Sequence, residues 1–135
     1  MTMEEEQPKG LEIEIRPLKP ISLLVTRVAG VMYRDDPWFA TDGLYHHCPL
    51  ELRREPENDY DPFAVMVMRG DEMIGYIPRE RNIVIANLMD AGRELRCRVC
   101  AMDRDDYSID LWIEVLMDRI EPKDLIDGKM KLTVI

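Results

Sequence analysis

Long apolar runs are missing from this sequence: none approaches the ~20 residues that cross a bilayer as a helix. The first ten residues are acidic, not basic and then apolar, so they carry no secretory pattern. Both absences predict a soluble, cytoplasmic protein with no membrane partner. Cysteine is scarce, and its odd number, three, suits a reducing compartment better than a disulfide framework. Lysine is absent between Lys19 and Lys123, so every guanidinium or ammonium group of the middle segment belongs to arginine. No P-loop, glycine-rich dinucleotide fingerprint, G-x-S-x-G or H-E-x-x-H occurs. The chain is therefore expected to be non-enzymatic, with no catalytic residue, no cofactor and no small-molecule substrate.

What is present is a chain of 135 residues, enough for one domain with a real core. Its 46% apolar and 33% charged residues describe a globular protein. The formal charge of −9 argues against broad coating of duplex DNA, because phosphate neutralisation supplies most of that affinity. It leaves room for a small local site, since screening over about 8 to 10 Å lets clustered arginines act against a distant acidic tail. Arginine forks onto phosphates and stacks on bases; equally, it pairs with the carboxylates abundant here.

Residues 1–20 form an N-terminal extension in which Leu11, Ile13 and Ile15 alternate with charged residues and predict a short strand. The main domain is expected over residues 21–118. Ile21 to Val28 is rich in strand formers and stops at Ala29-Gly30. Asp35 to Gly43 reads as a long connection whose Trp38 and Phe39 serve as a local anchor or a contact surface. Leu50 and Leu52 flank Glu51 in a strand. Phe63 to Met68 is apolar on both faces, which predicts a central strand, and Arg69-Gly70-Asp71-Glu72 turns it into Met73 to Ile77. Pro78 suits the first turn of a helix, along which Val84, Ile85, Leu88 and Met89 recur at helical spacing for about three turns until Gly92. Alternation from Leu95 to Ala101 and from Tyr107 to Val115 gives a last hairpin. Five or six strands with one short helix after the fourth predict a mainly β fold, a small antiparallel barrel of the OB or SH3-like type. Residues 119–135 form a C-terminal extension in which Met130, Leu132 and Val134 alternate and can add an edge strand.

The chemistry gathers where a loop feeds a strand, in Glu55-Pro56-Glu57-Asn58-Asp59-Tyr60-Asp61-Pro62. Asn58 and Asp59 can bond their own backbone, and Pro62 fixes φ. Tyr60 on such a lip can stack a base, and Asp61 can accept a hydrogen bond from a sugar hydroxyl but repels phosphate. Equally, Asp61 can cap its own turn while Tyr60 covers the barrel edge. Arg79 at the start of the helix suits a phosphate, or an ion pair with Glu80 or Asp71. Cys97-Arg98-Val99-Cys100 with His46, His47 and Cys48 has the residue types of a zinc site. In an unbroken strand, however, residues three apart point to opposite faces, so Cys97 reads as a small core residue. Trp112, in register with Asp110 and Glu114, reads as a surface contact or as packing under the N-terminal strand.

Leu50-Glu51-Leu52-Arg53-Arg54-Glu55-Pro56, Asn58-x-Tyr60-Asp61, Ala64-Val65, Ile74-Gly75-Tyr76-Ile77-Pro78-Arg79 and Leu88 to Gly92, in this order and spacing, resemble the HIRAN domain over roughly residues 22 to 118. The resemblance implies an OB-like barrel that binds single-stranded DNA at a free 3′ end. It implies that Tyr60 stacks on the terminal base, that Asp61 bonds the 3′ hydroxyl, that Tyr33 is a second aromatic of the site and that Arg79 meets a phosphate. Met32 stands where the family is basic, which removes one phosphate contact, and Arg34 is a candidate to compensate. Phe63 replaces a frequent asparagine. HIRAN domains elsewhere are fused to helicase-type motors, so helicases, nucleases and other repair or replication proteins are the expected partners. Two other readings stand beside this one. An acidic protein-interaction module that kept the barrel and lost the DNA site is favoured by Met32 and the net charge. A zinc-dependent enzyme requires Cys97 and Cys100 on one side of the chain.

Overall fold

Six strands pair antiparallel throughout. They are β1 (Ile21–Arg27), β2 (Pro49–Arg54), β3 (Val65–Arg69), β4 (Glu72–Tyr76), β5 (Leu95–Arg104) and β6 (Ile109–Met117). The computed structural model describes residues 19–119, of which Pro20–Asp118 form one compact unit. The strands expected at Leu11 to Ile15 and Met130 to Val134 lie outside the described residues.

The strand order is β1-β6-β5-β2-β3-β4. Irregular register at Ser22/Leu24, Val67/Met68 and Val99/Ala101 bends the sheet, since a bulged strand twists more strongly. The curl brings the two outer strands together at one corner, where Ala29 and Tyr76 exchange two backbone hydrogen bonds of 2.8 and 2.9 Å. Gly75 permits this contact. A Cβ there would overlap the Ala29 carbonyl oxygen and lie 2.7 Å from Val28 Cγ1. The interior is filled by Val65, Val67 and Ile74 from the β3–β4 hairpin and by Leu111, Ile113 and Val115 from β6, all fully buried. β3 lies between β2 and β4, inside the sheet as its two apolar faces predict. The result is the mainly β, OB-like half-barrel expected from the sequence.

Three local expectations need correction. Pro37–Thr41 is a short helix, α1, inside the supposed connection; Pro37 sits in its first turn and Asp36 Oδ1 accepts the Phe39 N–H at 3.0 Å. There Trp38 is the anchor, its Nε1 donating to the Asp105 carbonyl at 3.0 Å, while Phe39 stays 66% exposed. The second helix, α2, spans only Ile83–Asp90, because the chain leaves Pro78 in a separate 3-10 turn, Arg79–Arg81. Its buried side carries Ile85 and Ala86, whereas Val84, expected inside, is exposed. β3 begins at Val65, so Phe63 belongs to the preceding turn.

Candidate nucleic-acid interface

The loop between β2 and β3 is shaped by its own polar side chains. Asn58 Oδ1 accepts the Tyr60 and Asp61 N–H groups at 2.8 and 3.0 Å, and Asp61 Oδ1 accepts the Phe63 N–H at 2.9 Å. These are asparagine and aspartate turns of the kind such residues favour over regular structure. Arg54, whose side chain is only 13% exposed, clamps the far end of the loop. Its guanidinium donates to the Pro62 and Ala64 carbonyls at 2.8 and 2.6 Å and forks onto Asp90 of α2 at 2.9 and 3.2 Å. The loop therefore holds Tyr60 out, 85% exposed, while Asp61 is half-buried.

Asn82, 1% exposed, donates from Nδ2 to Asp61 Oδ2 at 2.7 Å. It occupies the N-cap of α2 yet gives the helix no side-chain bond, its amide being committed to the loop. Its Oδ1 is buried with no partner among the described residues. Asp61 thus keeps a fixed carboxylate with lone pairs free for one more donor. Of the two readings of Asp61, the structure shows the turn cap, through the Phe63 N–H.

Tyr76 links this loop to the other side of the site. Its hydroxyl donates to Glu55 Oε1 at 2.9 Å, and the same oxygen accepts from Asn58 Nδ2. Burial pushes the Tyr76 phenol up, and the Glu55 carboxylate adds to it by holding the proton. The Arg34 guanidinium lies 5.9 Å from the Tyr76 ring centroid, with Nη1 3.0 Å from Met73 Sδ, so this half-buried arginine braces the tyrosine. The neighbouring 3-10 turn, Val31–Tyr33, follows Gly30, whose φ of 77° reverses the chain after the Ala29–Tyr76 bridge. That reversal leaves Tyr33 87% exposed and Met32 40% exposed. Arg79 is exposed, with no ion pair to Glu80, Asp71 or any other carboxylate among the described residues.

Hydrogen bonds link the elements that carry Tyr33, Tyr60, Asp61 and Arg79: Tyr76 joins Glu55 of the Tyr60–Asp61 loop, Asn82 just after the Arg79–Arg81 turn joins Asp61, and Tyr33 follows Ala29 of the Ala29–Tyr76 bridge by four residues. The sequence singled out these carried residues; of the linking ones, Asn82 was missed altogether, and no local pattern marks a residue whose partner is 21 positions away. The cysteine and histidine cluster does not converge. Among the described residues no three metal-ligating side chains come together. Cys97 is buried with its thiol pushed up to about 12, and His46 Nδ1 lies 3.1 Å from the Cys100 carbonyl oxygen. The strand does break register at Val99/Ala101, contrary to the unbroken alternation expected, but remains paired to β6 on both sides.

Two solved structures share this fold. A crystal structure of a Lactobacillus plantarum protein, solved as a structural genomics target, is 30% identical with a TM-score of 0.63, over 73% of this chain and 97% of that one. The crystal structure of the HIRAN domain of human HLTF, 19% identical, has the same fold with a TM-score of 0.56, over 80% of this chain and 85% of that one. No curated protein matches the sequence. The family model described as the HIRAN domain matches residues 21–116, most of the chain, and the chain belongs to that family.

Proposed function

We propose that this protein is a non-enzymatic module that binds single-stranded DNA at a free 3′ end. HIRAN domains are in general DNA-binding modules, and the end-specific reading rests on Asp61. Its carboxylate is fixed by Asn82 and the Phe63 N–H beside the exposed Tyr60, and a carboxylate favours a hydroxyl and repels a phosphate. Tyr60 and Tyr33 stack bases, each contact contributing ~1 to 3 kcal/mol without regard to sequence. Arg79 meets the backbone; Arg34 acts through Tyr76 and adds a positive field. In this role the module presents DNA ends to helicases, nucleases or other repair and replication proteins.

The test is fluorescence anisotropy at low salt with a short labelled strand ending in a 3′ hydroxyl or a 3′ phosphate. Asp61→Asn is the informative variant, because Asn82 can turn its amide and offer the unpartnered Oδ1 to the new N–H group, preserving the loop. The wild type is expected to prefer the hydroxyl end and Asp61→Asn to lose that preference. Equal binding of the two ends by the wild type would refute end recognition. Binding of neither would favour the protein-interaction reading, which the net charge of −9 and the exposed Met32 support.

A further inference from the structure

We infer that a strand held by its 3′ end at Asp61 runs in the 5′ direction along the seam between β1 and the Arg79–Arg81 turn, where Arg27 stacked on Trp112 forms a second platform for a base. The inference deepens the end-binding reading and rests on it.

The Ala29–Tyr76 bridge divides the gap between the outer strands, and a groove leaves on each side of it. One, of about 620 Å³, is bounded by Val25–Ala29, Pro78–Arg81 and Trp112. The other, of about 310 Å³, is bounded by Tyr33, Arg34, Asp35, Glu72 and Met73. Charge separates them. The smaller groove sets two carboxylates against Arg34, which is already engaged with Tyr76 and Met73. The larger presents Arg79 and Arg81 against Glu80, with Arg27 on its wall paired to Asp110. A strand carrying one negative charge per phosphate follows the larger groove, which it enters past Arg79, already part of the site.

Within that groove the three arginines differ. Arg79 and Arg81 are exposed and have no ion pair among the described residues, so both guanidiniums suit phosphates. Arg27 forks onto Asp110 at 2.6 and 3.3 Å, so its charge is largely answered and its plane is fixed. Its guanidinium lies 5.3 Å from the Trp112 ring centroid, and the side chain is 61% exposed. A planar cation packed on an indole, oriented by a carboxylate and open on its outer side is a surface on which a base stacks. Val25, 48% exposed, adds an apolar wall for the sugar.

The experiment measures affinity for oligothymidylates with a free 3′ hydroxyl, from dinucleotide to octanucleotide, and for the octanucleotide with a 3′ phosphate, at several salt concentrations. The proteins compared are the wild type, Arg27→Ala, Arg81→Ala and Asp61→Asn. For the wild type, affinity is expected to rise with length up to about four or more nucleotides, in the range of OB-fold site sizes. Arg27→Ala should bind the dinucleotide as the wild type does and lose roughly 5- to 150-fold on the octanucleotide, the range for one stacked base. Arg81→Ala should make the plot of log affinity against log salt shallower by about 0.7, the value for one phosphate of a single strand. Affinity independent of length, or length dependence retained in full by both arginine variants, would overturn the path. If length dependence persists while neither the wild type nor Asp61→Asn distinguishes a 3′ hydroxyl from a 3′ phosphate, the path stands and the end-reading role of Asp61 fails.

Discussion

Replacing Asn82 with aspartate tests the central contact of the site through its pH dependence. Asn82 Nδ2 is 2.7 Å from Asp61 Oδ2 and the residue is 1% exposed, so Asn82→Asp sets two carboxylates against each other with little water between them. At an effective dielectric near 20, unit charges about 4 Å apart repel by about 4 kcal/mol. The folded pair escapes by keeping one proton, which restores the hydrogen bond that the amide had made. The unfolded chain gives up both protons above a pH of about 4. The folded state of the variant then holds one proton more than the unfolded state, so its stability must fall as pH rises. The slope is about 1.4 kcal/mol per pH unit, reaching the repulsion limit of about 4 kcal/mol near pH 7. Urea unfolding of variant and wild type across about pH 5 to 8 measures the difference. A deficit that does not change with pH would refute the Asp61–Asn82 contact.

Gly75→Ala is expected to cost about 1 to 3 kcal/mol, towards the upper end because the Ala29 backbone must move. Its thermal midpoint should fall by roughly 4 to 8 °C for each kcal/mol, and an unchanged midpoint would contradict the close approach of β1 to β4. Ultraviolet titration of the tyrosines should show one phenol ionising above the usual tyrosine range, and Tyr76→Phe should remove that step. The stability from this raised group is present below the pH at which a free tyrosine ionises and is lost as pH rises through the higher folded value.

Strand positions were legible because they rest on local alternation. Cys97, Val99, Leu111, Ile113 and Val115 fall on the inward register, and all are buried. Helix boundaries were less so. Asp36-Pro37 is a proper helix start, but the helix that follows has five residues and too little periodicity to be seen. Pro78 looked like the start of α2, whereas it opens a 3-10 turn and the helix begins after Asn82. Tyr60 and Asp61 stood out because turn formers and an apolar run meet there. The pairs that fix them, Tyr76 with Glu55 and Asn82 with Asp61, each join residues 21 apart and follow no periodicity.

The meeting of Ala29 with Tyr76 ties the proposed site to the clasp between the outer strands. Tyr33 is carried by the chain just past one end of this clasp, and Arg79 and Asn82 by the chain just past the other. If the clasp opens, the halves of the site separate before the core between β5 and β6 is touched. Such partial opening costs less than global unfolding and is read by amide exchange at residues 29 and 76. On the proposed function, a ligand that spans both halves binds only the clasped form, so it should slow that exchange by the factor 1 + [L]/Kd. Occupancy and closure are then one equilibrium seen from two sides: whatever loosens the seam weakens binding, and whatever fills the site seals the barrel.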